Sequence, residues 1–523
     1  MQILAMKAGH DGNFALLEDH ALRWQIEAEK DSFPRYETIT ADLLVRAGKY
    51  LEGIPDVIAV SGWVKGWHSV EPPVNGGYFG WEENCGHLSS MRFMGRDVKL
   101  FTSTHERSHI FCSYGLSPFP QGEPCYALVW EGNLGCFYEI GADLSVTRLG
   151  WPLVDPGNKY AQLFAIADPT FPSLKGHFRF SNAGKLMALA AFSKRTPLDE
   201  DGRRLLDALI RADGLVKNIA KGEFSWSRYY NIGVTNPDFM ELAGHFSDMI
   251  YNRFYEFARK HLTKGLPLLI SGGCGLNCEW NSRWLDSGLF ADVFVPPCTN
   301  DTGAALGTAV EAQALLTGKA KIEHWSVYAG ENFVEDIPCP NESFTTEPLD
   351  MNVVANFIAT GGIIAWVQGQ YEMGPRALGN RSILAAPFST ETRDRLNAIK
   401  KREGYRPVAC ICLEEEAERH FDGASPSPYM LHFHHVRDSQ LGAVTHVDNT
   451  CRVQTVNASQ NPPMYRLLNA FSERTGYGVL CNTSLNFNGR GFINRMSDLI
   501  TYVENTGMDG FVVGNHFYRR RDS

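Results

Sequence analysis

The chain opens with Gln2-Ile3-Leu4-Ala5-Met6-Lys7, turns through Gly9-His10-Asp11-Gly12-Asn13, and resumes with Phe14-Ala15-Leu16-Leu17 before a second turn at Glu18-Asp19. Two apolar runs around a glycine-bounded polar turn read as strand, turn, strand. That hairpin sets His10 and Asp11 at a strand end facing a cleft, although a plain hairpin with a polar tip is the commoner reading of these residues alone. A charged loop at Glu29 to Tyr36 follows, where Pro34 argues against helix. A helix is expected over residues 40–51 and buried strands over 57–60 and 98–102. The last strand delivers the chain into His105-Glu106-Arg107-Ser108-His109. Two imidazoles four apart on a helix share one face and lie within reach of one metal ion. By itself such a pair is more often a surface feature, because a metal site needs enough ligands and a supporting shell.

Further along, polar side chains recur at the ends of apolar strands. Residues 126–130 end in Glu131-Gly132, a second strand covers 136–140, and residues 141–260 are mostly helical in pattern, with Gly157 and Asn158 at a helix start. A strand over 266–270 runs into Ser271-Gly272-Gly273-Cys274-Gly275-Leu276-Asn277, and Asn281 lies four residues on. Strand, glycine cluster and helix let backbone N–H groups approach a nucleotide closely, while a simple tight turn stays equally open. After a strand over 292–295, Asp301 stands at the start of a small-residue helix beginning at Ala304, placed either to cap it or to turn outward as a ligand.

Residues 319–350 are polar and without periodicity, so the domain boundary is placed there, giving domains 1–335 and 350–523. Beyond it, a strand over 363–367 leads into Glu372-Met-Gly-Pro-Arg376-Ala-Leu-Gly-Asn380-Arg381-Ser382, then Lys400-Lys401-Arg402-Glu403-Gly404-Tyr405-Arg406-Pro407. Basic residues concentrate here, as a polyphosphate pocket requires. Arg452 follows, and a strand from residue 479 ends in Asn482, Thr483 and Ser484. No internal repeat is evident.

The chain has 523 residues, enough for about two to four domains, with the composition of an ordinary globular protein. Its formal net charge of -10 argues against a general nucleic-acid or membrane-surface binder. Twelve cysteines without a paired CxxC framework read as reduced thiols. The N-terminus carries no export signal, and no run approaches the ~20 apolar residues that span a bilayer, so a cytoplasmic enzyme is expected.

Gly9-His10-Asp11, His105 to His109, the strand ending at Glu131, Gly272 to Asn277, Asp301 to Gly303, Gly374 to Ser382, Lys400 to Pro407, Arg452-Val-Gln454 and Asn482-Thr-Ser484 occur in an ordered series over nearly the whole chain. That series resembles the O-carbamoyltransferase family, which includes the nodulation, tobramycin and cephem carbamoyltransferases. The resemblance implies an α/β and α+β architecture: a large actin-like N-terminal domain related to the threonylcarbamoyl transferases, then a smaller YrdC-like C-terminal domain. It implies carbamoyladenylate formation from carbamoyl phosphate and ATP, with release of phosphate and pyrophosphate. Transfer of the carbamoyl group to a hydroxyl of a small natural product then leaves AMP.

Carried over residue by residue, Arg376, Arg381, Lys400, Arg406, Arg452, Asn482 and Ser484 would bind carbamoyl phosphate and the ATP phosphates, with Lys400 and Arg406 also catalytic. Gly157, Asn158, Gly272, Gly273 and Asn277 would cradle the adenylate. His105, His109, Glu131 and Asp301 would hold a divalent metal, iron first, with manganese or zinc as alternatives, and Mg2+ would accompany ATP. His10, with Asp11, would position or deprotonate the acceptor. Glu131 stands where the family usually has aspartate, and the segment before it is longer. Residues 29–36 and 105–131, with the total length, are most similar to the 3-hydroxymethylcephem carbamoyltransferases of antibiotic biosynthesis. The resemblance leaves room for a homodimer. The competing readings are a tRNA threonylcarbamoyl-type transferase, against which the acidic charge and the fused C-terminal half speak, and a non-catalytic nucleotide-binding module.

Overall fold

The expected hairpin is present: β1 (Gln2–Lys7) and β2 (Asn13–Glu18) pair antiparallel, with Lys7 opposite Asn13, and β3 (Ala21–Glu27) continues the meander. The computed structural model describes residues 1–63, 76–80, 86–173, 179–214, 219–424 and 426–521. β4 (Val57–Ser61) runs parallel to β1, and β5 (His87–Phe93) and β6 (Arg96–Ser103) complete a sheet of order β3-β2-β1-β4-β6-β5. Its central strands are nearly continuous apolar runs because both faces are covered. Leu43 and Ala47 of the helix Ala41–Gly48 pack with Leu4, Trp24 and Ile58 on one side. The helix Ala304–Thr317 packs against β1, β2 and β4, and its buried residues from Ala304 to Gln313 make it apolar almost all round, as an interior helix must be.

Residues 125–294 repeat this plan. β7 (Cys125–Trp130), β8 (Gly135–Ile140) and β9 (Val146–Gly150) form an antiparallel meander, and β10 (Leu268–Ser271) and β11 (Val293–Phe294) add in parallel, giving the order β11-β10-β7-β8-β9. Three antiparallel strands followed by two parallel ones thus occur twice, once starting at β1 and once at β7. This duplication is the actin-like architecture expected of the N-terminal part. β9 interrupts the stretch expected to be mostly helical, which otherwise contains the long helix Pro237–His261.

By compactness, Met1–Leu116 and Asp301–Ser523 form one unit and Ser117–Asn300 a second. The boundary placed near residues 335–350 falls within the first unit, where a third sheet begins. That sheet comprises β12 (Phe344–Pro348), β13 (Ile364–Val367), β14 (Arg381–Ala385), β15 (Ala409–Leu413), β16 (Phe433–His435), β17 (Thr450–Val456), β18 (Val479–Ser484), β19 (Gly510–Val513) and β20 (His516–Arg520). Its order is β12-β20-β19-β13-β14-β18-β15-β17-β16. Alternation along β18 sends Cys481 to one core and Leu480 to the other, so Asn482 shares the Leu480 face.

Within this unit the 29–36 loop is docked rather than free. Arg490 donates to Ser32 O at 2.8 Å, Arg495 pairs with Asp31, and Lys30 Nζ reaches Gly374 O at 2.6 Å. Glu27 Oε1 accepts from Gly374 N at 2.6 Å, so both backbone groups of the glycine two residues before Arg376 are held from the N-terminal segment. Among the described residues no helix is long and apolar enough to cross a membrane.

Candidate active site

Helix packing sets the first cluster. The helix His105–Leu116 crosses the helix Ala304–Thr317 so closely that a Cβ on Gly307 would stand 1.8 Å from Ser108 O. A hydroxyl chain runs through the same contact, Ser61 Oγ to Ser108 Oγ at 2.9 Å and on to Thr308 Oγ1 at 2.8 Å. This approach brings Asp301 to the histidines. His105 Nε2 and His109 Nε2 are 3.1 Å apart, and Asp301 Oδ1 lies 3.5 and 3.4 Å from them. All three side chains are buried. Gly303 occupies the N-cap position, so Asp301 is left to turn outward.

The hairpin end meets the same carboxylate. Lys7 Nζ lies 2.8 Å from Asp301 Oδ2 and His10 Nε2 lies 3.6 Å from it, while His10 Nδ1 is 2.8 Å from Asp11 Oδ2. Asn13 Nδ2 donates to Asp11 O and Asp301 O. Burial alone would push the Asp301 carboxyl up, but Lys7, His105 and His10 hold it well below the usual carboxylate range. Two imidazole nitrogens converging on one ionised carboxylate oxygen, in a buried site, fit a divalent ion such as iron, manganese or zinc. Trp63 walls the cluster, edge-on to His10 and His105 and 4.1 Å beneath Lys7 Nζ, and Tyr78 stacks on His105.

In the second unit, Glu131 is buried at the end of β7, where its carbonyl accepts from Gly157 N at 3.1 Å and from Cys274 Sγ. Asn158 N donates to Gly132 O and its Nδ2 to Asn133 Oδ1. Gly157 and Asn158 therefore spend their amides tying a helix start to the strand end. Gly272 has φ 99° and directs its N–H to Thr299 O, a conformation with no room for a side chain against Trp130 O. Gly273 opens onto free space. Asn277 caps the helix Cys278–Leu285 through Oδ1, leaving its buried Nδ2 without a hydrogen-bond partner. Gly273 and Asn277 are thus the members of this turn that remain available to a ligand.

The third sheet carries the basic residues. Lys400 is buried, and its Nζ donates to Ser484 O at 2.5 Å, Asn486 Oδ1 at 2.6 Å and Asn486 O at 3.0 Å. Burial, then Arg402, Arg406 and Arg35, push its ammonium well below the ordinary lysine value. Burial with the neighbouring Arg406 and Arg452 pushes Arg402 down to about 9, and burial likewise lowers Arg406, although Glu403 opposes this. Cations drawn this close together and partly out of water form a site suited to anions. Asn482 is 1% exposed; its Nδ2 donates to Ala377 O and Gln454 Oε1, and its Oδ1 has no hydrogen-bond partner. Arg376 is half-buried next to Ala377, and Ser484 Oγ donates to Asn486 Oδ1.

One expected ligand turns inward. Arg381 is fully buried and directs its guanidinium to Gln368 O, Gly369 O, Asn380 O and Asn494 Oδ1. Its donors are consumed in holding the loop, so it is reassigned from phosphate binding to structure. Glu372 does the complementary work: Oε1 accepts from the N–H groups of Leu378, Asn380 and Arg381. Lys7, Trp63, Tyr78, Glu372, Arg402 and Gln454 were given no role of their own by the sequence. Lys7 carried a signal, as a lone charge in an apolar strand; Trp63 and Tyr78 carried none.

Residues 78–310 match the family pattern described as Carbamoyltransferase N-terminus, and residues 355–520 match Carbamoyltransferase C-terminus. The chain is 46% identical to the 3'-hydroxymethylcephem-O-carbamoyltransferase of Amycolatopsis lactamdurans, covering 100% of both chains. It is 30% identical to Nodulation protein U of Sinorhizobium fredii, covering 98% of this chain and 99% of that one. Among solved structures, an archaeal actin homologue aligns over 60% of this chain and 99% of its own at 12% identity, with a TM-score of 0.29, a likeness too slight to bear on the fold. Identity sustained over the full length, through both matched regions, makes this chain a member of the carbamoyltransferase family.

Proposed function

We propose that this carbamoyltransferase makes carbamoyladenylate from carbamoyl phosphate and ATP and passes the carbamoyl group to the hydroxymethyl group of a 3'-hydroxymethylcephem. The clustered, half-buried cations Arg402, Arg406 and Arg452, to which the buried Lys400 adds its charge while its own donors go to Ser484 and Asn486, carry the first half of this reading. Carbamoyl phosphate and ATP together bring several negative charges to these cations, and fixed cations around the α-phosphorus stabilise the charge that develops there. Arg376 and Asn482 join this set, and Gly273 and Asn277 hold the adenylate in the transfer half.

His10, its ring oriented by Asp11 at Nδ1, is the acceptor's base and takes the hydroxyl proton as the oxygen attacks the carbamoyl carbon and AMP leaves. His105, His109 and Asp301 would hold a divalent ion; when bound, the ion supplies Lewis acidity toward the carbamoyl oxygen or the adenylate phosphate. A reaction fed by ATP and carbamoyl phosphate supports a cytoplasmic location. The cephem acceptor is supported by a full-length relative of that name. Incubation with ATP, carbamoyl phosphate and Fe2+, with a 3'-hydroxymethylcephem or an aminoglycoside as acceptor, tests it by mass spectrometry. Carbamoylation of the cephem is expected; carbamoylation of the aminoglycoside alone would remove the acceptor assignment.

A further inference from the structure

Two buried amides on the third sheet form a chain whose direction can be deduced. Gln454, on β17, and Asn482, on β18, are each 1% exposed. Gln454 Nε2 donates to Leu378 O at 2.8 Å; a carbonyl only accepts, so the amide end facing it must be nitrogen. Gln454 therefore turns its oxygen to Asn482, which donates through Nδ2 at 3.0 Å and sends its second N–H to Ala377 O at 3.2 Å. Both ends of the relay are fixed by backbone carbonyls of the loop that carries Arg376. What emerges is Asn482 Oδ1, a buried acceptor with no hydrogen-bond partner. Arg452 lies two residues before Gln454 on the same face of β17, so the bare acceptor belongs to the basic neighbourhood.

We infer that Gln454 is a specificity-determining positioning residue: it locks the Asn482 amide with its oxygen toward the acyl substituent, and so selects carbamoyl phosphate over acyl phosphates that lack an N–H donor. The inference rests on the proposed first step. The ionised phosphoryl group of an acyl phosphate offers this oxygen nothing, because it carries no hydrogen and only accepts. The carbamoyl amino group has N–H to give and completes the relay. Acetyl phosphate puts a methyl group of similar size in the same place and leaves a buried acceptor unpaired, which disfavours it by about 10- to 100-fold.

The test uses acetyl phosphate as a competitive inhibitor of pyrophosphate release from ATP and carbamoyl phosphate. In the unaltered enzyme the acetyl phosphate Ki should exceed the carbamoyl phosphate KM by about tenfold or more. Gln454→Met frees the Asn482 amide to rotate, and should lower the Ki/KM ratio by about tenfold with KM for ATP unchanged. A residue that merely supports the loop would weaken both acyl phosphates equally, and an unchanged ratio would overturn the inference. Asn482→Leu, which removes the acceptor, should bring the ratio near one, and it decides the matter if Gln454→Met does not fold. If the unaltered enzyme releases no pyrophosphate with carbamoyl phosphate, the first-step reading itself fails, an outcome distinct from an unchanged ratio.

Discussion

Replacing Glu372 with glutamine should disable the Arg376 loop without touching a substrate-binding side chain. Glu372 is fully buried, and one of its oxygens accepts three backbone N–H groups, from Leu378 at 2.8 Å, Asn380 at 2.6 Å and Arg381 at 3.1 Å. Its second oxygen has no hydrogen-bond partner. Glutamine keeps one acceptor but removes the charge and sets an amide N–H₂ in the buried place of that second oxygen. Hydrogen bonds to charged groups contribute about 1.5–3 kcal/mol, against about 0.5–1.5 for neutral ones, so three bonds lose roughly 3 kcal/mol together. If half to all of this appears as disorder of the loop, KM for carbamoyl phosphate rises about 10- to 100-fold at 1.4 kcal/mol per decade. Steady-state pyrophosphate release, with circular dichroism to verify folding, reads the effect. A folded Glu372→Gln enzyme with unchanged KM would refute the view that this carboxylate sets the loop.

Gly307→Ala should separate the two helices of the histidine cluster, because the new Cβ would stand 1.8 Å from Ser108 O. Overpacking of this kind costs about 1–3 kcal/mol, and metal analysis after dialysis should find less divalent ion than in the unaltered protein. His109→Ala should retain the fold and lose the ion outright, since it removes one of three converging donors; undiminished metal content would exclude this cluster as the binding site. Lys400, held below its ordinary 10.5 by burial and neighbouring cations, should take up protons when carbamoyl phosphate binds, because the anion favours the ammonium form. Affinity is then constant below the free-enzyme pKa and falls as the pH rises through it toward 10.5. Calorimetry in buffers of different ionisation enthalpy would record the uptake, and proton release on binding would contradict it.

Elements whose signal is local were legible in the sequence. The opening hairpin, the strands 57–60, 98–102 and 126–130, the helix at His105 and the Gly272 turn all appear, because hydrophobic runs and glycine punctuation are written residue by residue. The duplicated sheet was expected through the family resemblance and not from the residues themselves, because it is a repeat of strand pairing, parallel or antiparallel, and leaves no periodicity in residue type. Asp301 was left between capping and ligation, and the choice was made by Lys7 and two histidines from distant segments. Arg381 was expected to be a phosphate ligand from the family resemblance; only the carbonyls of Gln368, Gly369 and Asn380 around it reveal that its donors are used. The Gln454–Asn482 relay joins two strands separated by β15, which no sequence spacing encodes.

The central claim, that adenylation drives carbamoyl transfer, is tested most directly by the nucleotide products. With ATP, a divalent metal and a 3'-hydroxymethylcephem, AMP and pyrophosphate should appear only when carbamoyl phosphate is added, with one AMP for each carbamoylated product. ADP as the nucleotide product, or carbamoylation without ATP, would contradict it.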